Sequence, residues 1–343
     1  MVTRKEALQQ LTAAGEPYEL IEIEAIGRKV RAFKNAPATL RDLYSETRSD
    51  KTFIVYEDER LTFEETWRKA CTLASALIED FGVAKGDRVA ISMRNYPEWM
   101  IAFNAVTSIG AIAVALNALW QPHELEFGLE NSGARVLLAD QERLVRLAAC
   151  KTPADLKVIG VRTTQPPPAG VTAYEQVMAR PETDVMPAVD FGPDDDAIML
   201  YTSGSTGNPK GAVSTHRAVL NALLSWELDA QVAYLRGILP TPPADAPQAV
   251  SLLGIPLFHV TGLHAIYLAC FRIQRRILAM YKWDAEKAAD LIEREGATHF
   301  TAPSAVTGDL VEFSRRTGRT FPTLTSVGGG GAARPPEQVR AID

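Results

Sequence analysis

Residues 201–211 read Tyr201-Thr202-Ser203-Gly204-Ser205-Thr206-Gly207-Asn208-Pro209-Lys210-Gly211. Every residue from 202 to 211 except Lys210 is Gly, Ser, Thr, Pro or Asn, which is the composition of a loop. An apolar run typical of a buried strand, residues 197–201, leads into this loop, and a helix-like run begins at His216. The order strand, loop, helix predicts a functional loop inside an α/β fold.

The loop has the chemistry that a polyphosphate requires. Glycines and small side chains let backbone N–H groups point toward one place, the hydroxyls add donors, and Lys210 adds a positive charge. A flexible Ser/Gly linker is the simpler interpretation, but linkers seldom end in Pro-Lys-Gly directly behind a strand of buried character. A Walker loop is excluded because it needs Gly-Lys-Ser/Thr, whereas Lys210 stands between Pro209 and Gly211.

The segment resembles the phosphate loop of the adenylate-forming superfamily, which includes acyl- and aryl-CoA synthetases, luciferases and peptide-synthetase adenylation domains. The family pattern is an aromatic residue followed by Thr-Ser-Gly-Ser/Thr-Thr-Gly-x-Pro-Lys-Gly, and residues 201–211 meet every position. The resemblance implies that the β- and γ-phosphates of ATP are held by Thr202, Ser203, Gly204, Ser205, Thr206, Gly207 and Lys210.

Composition bounds the class of protein. A chain of 343 residues with 46% hydrophobic and 23% charged residues has the composition of a soluble globular protein with a sizeable core. The net charge of −6 argues against a nucleic-acid partner but not against ATP, whose site needs only local positive charge. The three cysteines are odd in number and widely separated, which favours a reducing cytoplasm and neither a disulfide framework nor a zinc site.

No segment of the chain predicts a membrane anchor. The first 24 residues are polar and lack an apolar signal core. The most apolar stretch, Trp99 to Trp120, is interrupted by polar residues and glycine, so a buried helix followed by a buried strand is favoured over a membrane span. We expect small-molecule partners only, and the sequence leaves peripheral membrane contact and a homodimer open.

The rest of the chain alternates strands and helices. Strand patterns at residues 52–56, 88–93, 111–116 and 135–139 are separated by helical patterns such as 64–81 and 123–132, which predicts a parallel sheet with helices on both faces. The family resemblance implies stacked, mostly parallel sheets flanked by helices, as in the N-terminal domain of the adenylate-forming fold. We expect an N-terminal extension at 1–34, a first α/β subdomain at 35–193 and a second at 194–343.

Two further segments add candidate site residues. The segment Pro256-Leu257-Phe258-His259 resembles the acyl- and aryl-CoA ligase branch, which implies that His259 borders the substrate carboxylate. A core histidine bonded to a backbone carbonyl is the alternative. Gly330, Gly331 and Ala332 resemble the Gly-Gly-Ala segment that lies behind the adenine. Ala333 and Arg334 stand where Pro and Leu are usual, and two preceding glycines leave the register open by one residue.

Family members continue beyond this point with an aromatic-Gly-x-Thr-Glu motif, a hinge and a C-terminal domain that bears a catalytic lysine. None of these precedes Asp343, so we expect a truncated N-terminal domain that lacks the C-terminal catalytic parts and is inactive alone. The resemblance implies that the full-length enzyme uses ATP, Mg²⁺ and CoA to convert a carboxylic acid, in our expectation a fatty acid, to acyl-adenylate and then acyl-CoA. An ATP-binding or structural fragment without turnover, an aryl-CoA ligase and a luciferase-like relative remain alternatives.

Overall fold

The computed structural model describes residues 2–25, 27–164, 166–202, 209–243 and 245–329. The helices are α1 Arg4–Leu11, α2 Leu40–Glu46, α3 Phe63–Glu79, α4 Pro97–Ser108, α5 Pro122–Ser132, α6 Gln141–Leu147, α7 Tyr174–Val177, α8 His216–Leu235, α9 Ala285–Glu295 and α10 Ser304–Thr317. The strands are β1 Leu20–Ala25, β2 Arg28–Phe33, β3 Thr52–Tyr56, β4 Glu59–Thr62, β5 Arg88–Ser92, β6 Ile112–Ala115, β7 Val136–Asp140, β8 Lys157–Val161, β9 Val171–Ala173, β10 Asp196–Thr202, β11 Lys210–Thr215, β12 Val250–Leu253, β13 Arg276–Ala279, β14 His299–Ala302 and β15 Ser326–Gly329.

A seven-stranded sheet carries the segment at 201–211. Its strand order is β11-β10-β6-β5-β7-β8-β9, and every pair in it is parallel except β10 with β11. Strand β7 is buried along its whole length and is almost entirely apolar, as a strand covered on both faces must be. The predicted α/β class is therefore confirmed.

A six-stranded sheet packs with the first through the shared core. Its order is β15-β14-β12-β13-β3-β4, parallel throughout except for the β3–β4 hairpin. These two sheets confirm the expected stacked, mostly parallel architecture with flanking helices. Each sheet takes strands from both sides of residue 193, because β3 and β4 lie in one sheet with β12–β15 and β10 lies in the other with β5–β9. The subdomain boundary at 193/194 stays a prediction, and it does not coincide with a division between the two sheets.

Helix α4 explains the apolar stretch from Trp99 to Trp120. It is buried on every side, with Trp99 and Phe103 fully buried and stacked at 5.4 Å between ring centroids. A helix that is apolar all round belongs in the centre of a protein core. Strand β6 follows it and is also buried, so the predicted helix and strand are confirmed. Within the part of the chain that the structure describes, no helix combines the length and apolarity that a bilayer crossing demands.

Two further segments have local structure that the sequence patterns did not specify. Thr261–Tyr267 is a π-helix, which a 3₁₀ turn continues. Residues 1–34, expected as an extension, form α1 and a β1–β2 hairpin. Helix α1 and this hairpin pack on α8 through a small apolar cluster that includes Phe33 and Leu228. A two-stranded ribbon needs such a support because it is marginally stable alone.

Candidate functional site

The segment at 201–211 is the connection of a β-hairpin. Strands β10 and β11 are antiparallel, and Thr202 and Lys210 are the last pair of Cα partners before the connection. The hydroxyl of Thr202 donates to the carbonyl oxygen of Lys210 at 3.4 Å. The Lys210 side chain is exposed and forms no ion pair with any residue that the structure describes. Both ends of the loop are therefore held in the sheet, and the ammonium group is free to meet an anion.

Most of the residues predicted to bind phosphate or adenine lie outside the part of the chain that the structure describes. The candidates outside the described residues are Ser203, Gly204, Ser205, Thr206, Gly207, Gly330, Gly331 and Ala332. Their roles stay predictions. Thr202, Lys210 and His259 are the candidates that the structure describes.

Tyr201 fixes the hairpin to helix α5. Its hydroxyl lies 2.8 Å from Oδ1 of Asn131 and 3.3 Å from the carbonyl oxygen of Gly128 and donates to them. Its ring packs edge-on against Trp120, with 5.2 Å between the centroids. Burial raises the pKa of Tyr201, so the phenol stays protonated and acts as a donor at neutral pH. The aromatic residue in front of the loop is thus a structural anchor.

Helix α8 begins six residues after Lys210, and Thr215 caps it by accepting the N–H of Ala218 at 3.2 Å. The buried ring of His216 accepts the N–H of Leu40 through Nδ1 at 3.1 Å. That N–H lies at the start of helix α2, where backbone donors lack intrahelical partners. Burial lowers the pKa of His216 to about 4, so the ring is neutral at pH 7. His216 is therefore a core histidine with a structural role.

The two aspartates directly before β10 form ion pairs. Asp194 contacts Arg217 at 2.7 Å and Asp195 contacts Lys85 at 2.9 Å. The first contact joins the residues before β10 to the start of α8, and the second joins them to the segment before β5. Among the residues that the structure describes, no group of three or more His, Cys, Asp or Glu side chains is arranged to hold a metal ion.

His259 lies in the connection between β12 and the π-helix, and its side chain is exposed. The alternative of a core histidine is therefore wrong for this residue. The Nδ1 atom of His259 accepts the backbone N–H of Thr261 at 3.2 Å. In a neutral ring the proton then resides on Nε2, because the partner of one ring nitrogen determines the tautomer. His259 consequently presents an N–H donor, which suits a carboxylate.

The backbone around His259 is tightly folded. The N–H of His259 donates to the carbonyl oxygen of Pro256 at 3.2 Å, and the N–H of Leu263 donates to the carbonyl oxygen of His259 at 2.9 Å. A Cβ atom on Gly262 would overlap the Pro256 carbonyl oxygen, so only glycine permits this approach. These contacts fix His259 relative to the neighbouring residues of its own loop.

Asn95 joins the two sheets and is not among the residues that the sequence patterns indicated. Asn95 lies three residues after β5 of the seven-stranded sheet and is 5% exposed. Its Nδ2 donates to the carbonyl oxygen of Ile255 at 2.9 Å, and its Oδ1 accepts the N–H of Leu257 at 3.0 Å. A polar residue just beyond a buried parallel strand is the one signal that the sequence offers.

A second contact joins the carboxyl ends of strands from the two sheets. The hydroxyl of Tyr281, two residues after β13, donates to Glu142, which lies two residues after β7, at 2.9 Å. The rings of Tyr96 and Tyr281 are 5.5 Å apart between centroids. In open α/β sheets ligands bind outside the carboxyl ends of the strands, and Thr202 and His259 both lie at or beyond such ends.

Comparison with known proteins agrees with this arrangement. The AMP-binding enzyme family matches residues 43–343. The chain is 30% identical over 243 residues to 4-coumarate–CoA ligase 2 of Oryza sativa subsp. japonica, which covers 68% of this chain and 41% of that protein. It is 31% identical over 245 residues to long-chain-fatty-acid–CoA ligase FadD13 of Mycobacterium tuberculosis, covering 69% and 43%. The chain thus spans less than half the length of these relatives.

Solved structures share the fold. The N-terminal domain of FACL13 from Mycobacterium tuberculosis superimposes with a TM-score of 0.74 at 24% identity, covering 89% of this chain and 73% of that one. The anthranilate CoA ligase AuaEII in complex with anthranoyl-AMP superimposes with a TM-score of 0.76 at 22% identity, covering 88% and 57%. The family match over nearly the whole chain confirms the resemblance that residues 201–211 indicated. The chain belongs to the AMP-binding enzyme family, and both relatives named above are acid–CoA ligases.

Proposed function

We propose that this chain forms the nucleotide- and acid-binding part of an AMP-forming acid–CoA ligase. The reaction joins a carboxylate to the α-phosphate of ATP with loss of pyrophosphate, and the CoA thiol then displaces AMP from the acyl-adenylate. A fatty acid is our proposed substrate, and the long-chain-fatty-acid ligase among the relatives supports it. The 4-coumarate ligase among them supports an aryl acid as the second candidate.

The main barrier to adenylation is electrostatic, because an anionic carboxylate must approach an anionic phosphate. Charge neutralisation and positioning therefore account for most of the catalysis. In the proposal Lys210 and the donors of residues 202–207 hold the β- and γ-phosphates. His259 donates from Nε2 to the acid, and Gly330, Gly331 and Ala332 lie behind the adenine.

In the proposal, CoA is a substrate and Mg²⁺ accompanies ATP. Mg²⁺ bound to ATP would neutralise phosphate charge. A cytoplasmic location is also proposed, supported by the free thiols of Cys71, Cys150 and Cys270. A homodimer and peripheral membrane contact remain open within this proposal.

The observation that carries the proposal is the pairing of Thr202 with Lys210 at the mouth of the loop. It brings an exposed ammonium group to the end of a strand whose neighbour β6 runs parallel to it, at the sheet edge where α/β proteins bind ligands. The complete match of residues 201–211 to the family's phosphate-loop pattern further supports phosphate binding at this position.

Calorimetry with ATP–Mg²⁺, run beside a CoA-ligation assay with dodecanoate and 4-coumarate, tests the proposal. We expect this chain to bind ATP saturably. We expect a fusion of this chain to the C-terminal part of one of its longer relatives to form the CoA thioester of one acid. Binding without product in the fusion would favour a nucleotide-binding protein without turnover. Absence of both would contradict the proposal, and light emission would indicate a luciferase-like oxygenase.

A further inference from the structure

Asn95 makes two hydrogen bonds to one short segment of the other sheet. Its carboxamide donates to Ile255 and accepts from Leu257, so it replaces the backbone partners that a neighbouring strand would supply. Strand β12 ends at Leu253, just before these residues. Within the described ranges, Asn95 is the one side chain that hydrogen-bonds to the backbone of residues 255–257.

The segment held by Asn95 leads directly to His259. Pro256 lies between the two bonded residues, and its carbonyl oxygen accepts the N–H of His259. Gly262 packs against the same carbonyl, and Thr261 binds the His259 ring. Because these contacts make residues 255–262 one rigid loop, any displacement at Ile255 or Leu257 is passed to the imidazole.

We propose that Asn95 is a positioning residue that sets where His259 stands relative to the phosphate loop. Lys210 belongs to the seven-stranded sheet and His259 follows a strand of the six-stranded sheet, so their separation depends on how the sheets are joined. The carboxamide of Asn95 joins them at the carboxyl ends, close to the proposed acid site. This inference rests on the proposed function for the role of His259, but the Asn95–His259 linkage itself is independent of it.

The proposal predicts different effects on the two ligands. The phosphate loop and Asn95 are both anchored in the seven-stranded sheet, so loss of the carboxamide should leave ATP binding unchanged. The loop at 255–262 loses its tie to that sheet, so His259 should shift and acid binding should weaken. Loss of one well-aligned donor to a carboxylate corresponds to about a tenfold or greater loss of affinity.

Two variants and a control test the proposal. Asn95→Ser is neutral and too short to reach both partners, whereas Asn95→Asp retains the acceptor for Leu257 and loses the donor to Ile255. Asn221→Ala is the matched control, because Asn221 accepts the backbone N–H of Phe33 and joins two elements away from the His259 loop. All are measured at pH 8.

The first measurement is ¹⁵N NMR of histidine-labelled protein, with the His259 signals assigned from a His259→Gln sample. We expect the wild type and Asn221→Ala to show the same His259 ring signals, and both Asn95 variants to show shifted ring signals, because the imidazole moves relative to the surrounding protein. The second is calorimetry of ATP–Mg²⁺, and of dodecanoate with α,β-methylene-ATP present. We expect ATP affinity within twofold of wild type and at least a tenfold loss of acid affinity.

Unchanged His259 signals in both folded Asn95 variants would overturn the proposal, as would unchanged acid affinity. If the wild type binds neither ATP nor acid, the proposed function fails, and the NMR comparison still decides whether Asn95 positions His259. If one variant does not fold, as judged by its urea midpoint, the other supplies both measurements. Equal weakening of ATP and acid binding would indicate general loosening and would also contradict a positioning role.

Discussion

Thr202 and Lys210 face each other across the β10–β11 hairpin, with the Thr202 hydroxyl 3.4 Å from the Lys210 carbonyl oxygen. The pair closes the loop that connects the two strands, so the loop begins and ends at fixed points of the sheet. The ammonium group of Lys210 stands at this mouth with no carboxylate partner among the described residues. A nucleotide phosphate is the partner that we propose for it.

Substitution Lys210→Ala is expected to weaken ATP–Mg²⁺ binding about 10- to 100-fold, the loss typical of one charge-assisted hydrogen bond. Calorimetry measures the change. Lys51→Ala is the control. Lys51 is also exposed, but it lies at the amino end of β3, whereas Lys210 lies beside the carboxyl end of β10. Equal affinities in wild type and Lys210→Ala would remove the phosphate role of this lysine.

Substitution His259→Ala is expected to reduce the affinity for dodecanoate or 4-coumarate about tenfold or more, since the proposed Nε2–H donor is lost. His259→Gln supplies an N–H₂ donor and should retain part of the affinity. The measurement is calorimetry of each acid with α,β-methylene-ATP bound. Identical acid affinities for the Ala and Gln variants would contradict the donor role.

Substitution Gly262→Ala is expected to lower the free energy of unfolding by about 1–3 kcal/mol, because the new Cβ overlaps the Pro256 carbonyl oxygen and the backbone must shift. Urea denaturation measures it. At Gly192 an added Cβ meets nothing within 4 Å, so Gly192→Ala should be neutral or slightly stabilising. A neutral Gly262→Ala would show that the close approach is not needed.

Stability should fall below pH 6.5 partly because of His216. Burial lowers the pKa of His216 from 6.5 to about 4, so the unfolded chain takes up this proton first as the pH drops. No stability is lost through this group above pH 6.5. The free energy of unfolding then decreases as the pH falls toward 4, and the decrease is about 2 kcal/mol at pH 5.

The check is urea denaturation of wild type and His216→Asn at pH 7.5 and pH 5. The Oδ1 of asparagine can accept the Leu40 N–H in place of Nδ1 but does not titrate, so the variant should lose about 2 kcal/mol less than wild type between these pH values. His264 and His299, whose pKa values burial also lowers to about 4, titrate in both proteins and cancel in the comparison. Equal losses in the two proteins would contradict the prediction.

Local sequence determined the class of fold and the position of the loop that connects β10 and β11. The alternation of strand and helix patterns is a local property, and near-continuous apolar runs such as that of β7 indicate strands buried on both faces. The apolar stretch Trp99 to Trp120 likewise predicted a helix and a strand in the core correctly. The pattern Tyr201 to Gly211 indicated the family because it combines donors, turns and one charge in a fixed order.

Tertiary structure alone decided how the candidate residues are arranged. Asn95 and Leu257 are 162 residues apart in sequence, and no periodicity relates them, so their hydrogen bond exists only once both sheets are packed. Which strands share a sheet is likewise decided by packing. Strand β3 pairs with the distant β13, whereas β5, the next strand after β4 in sequence, lies in the other sheet. The exposure of His259 and its Nε2–H tautomer follow from backbone contacts at Thr261 and Pro256. Sequence specifies which groups are present, whereas their directions and partners arise from packing between distant segments.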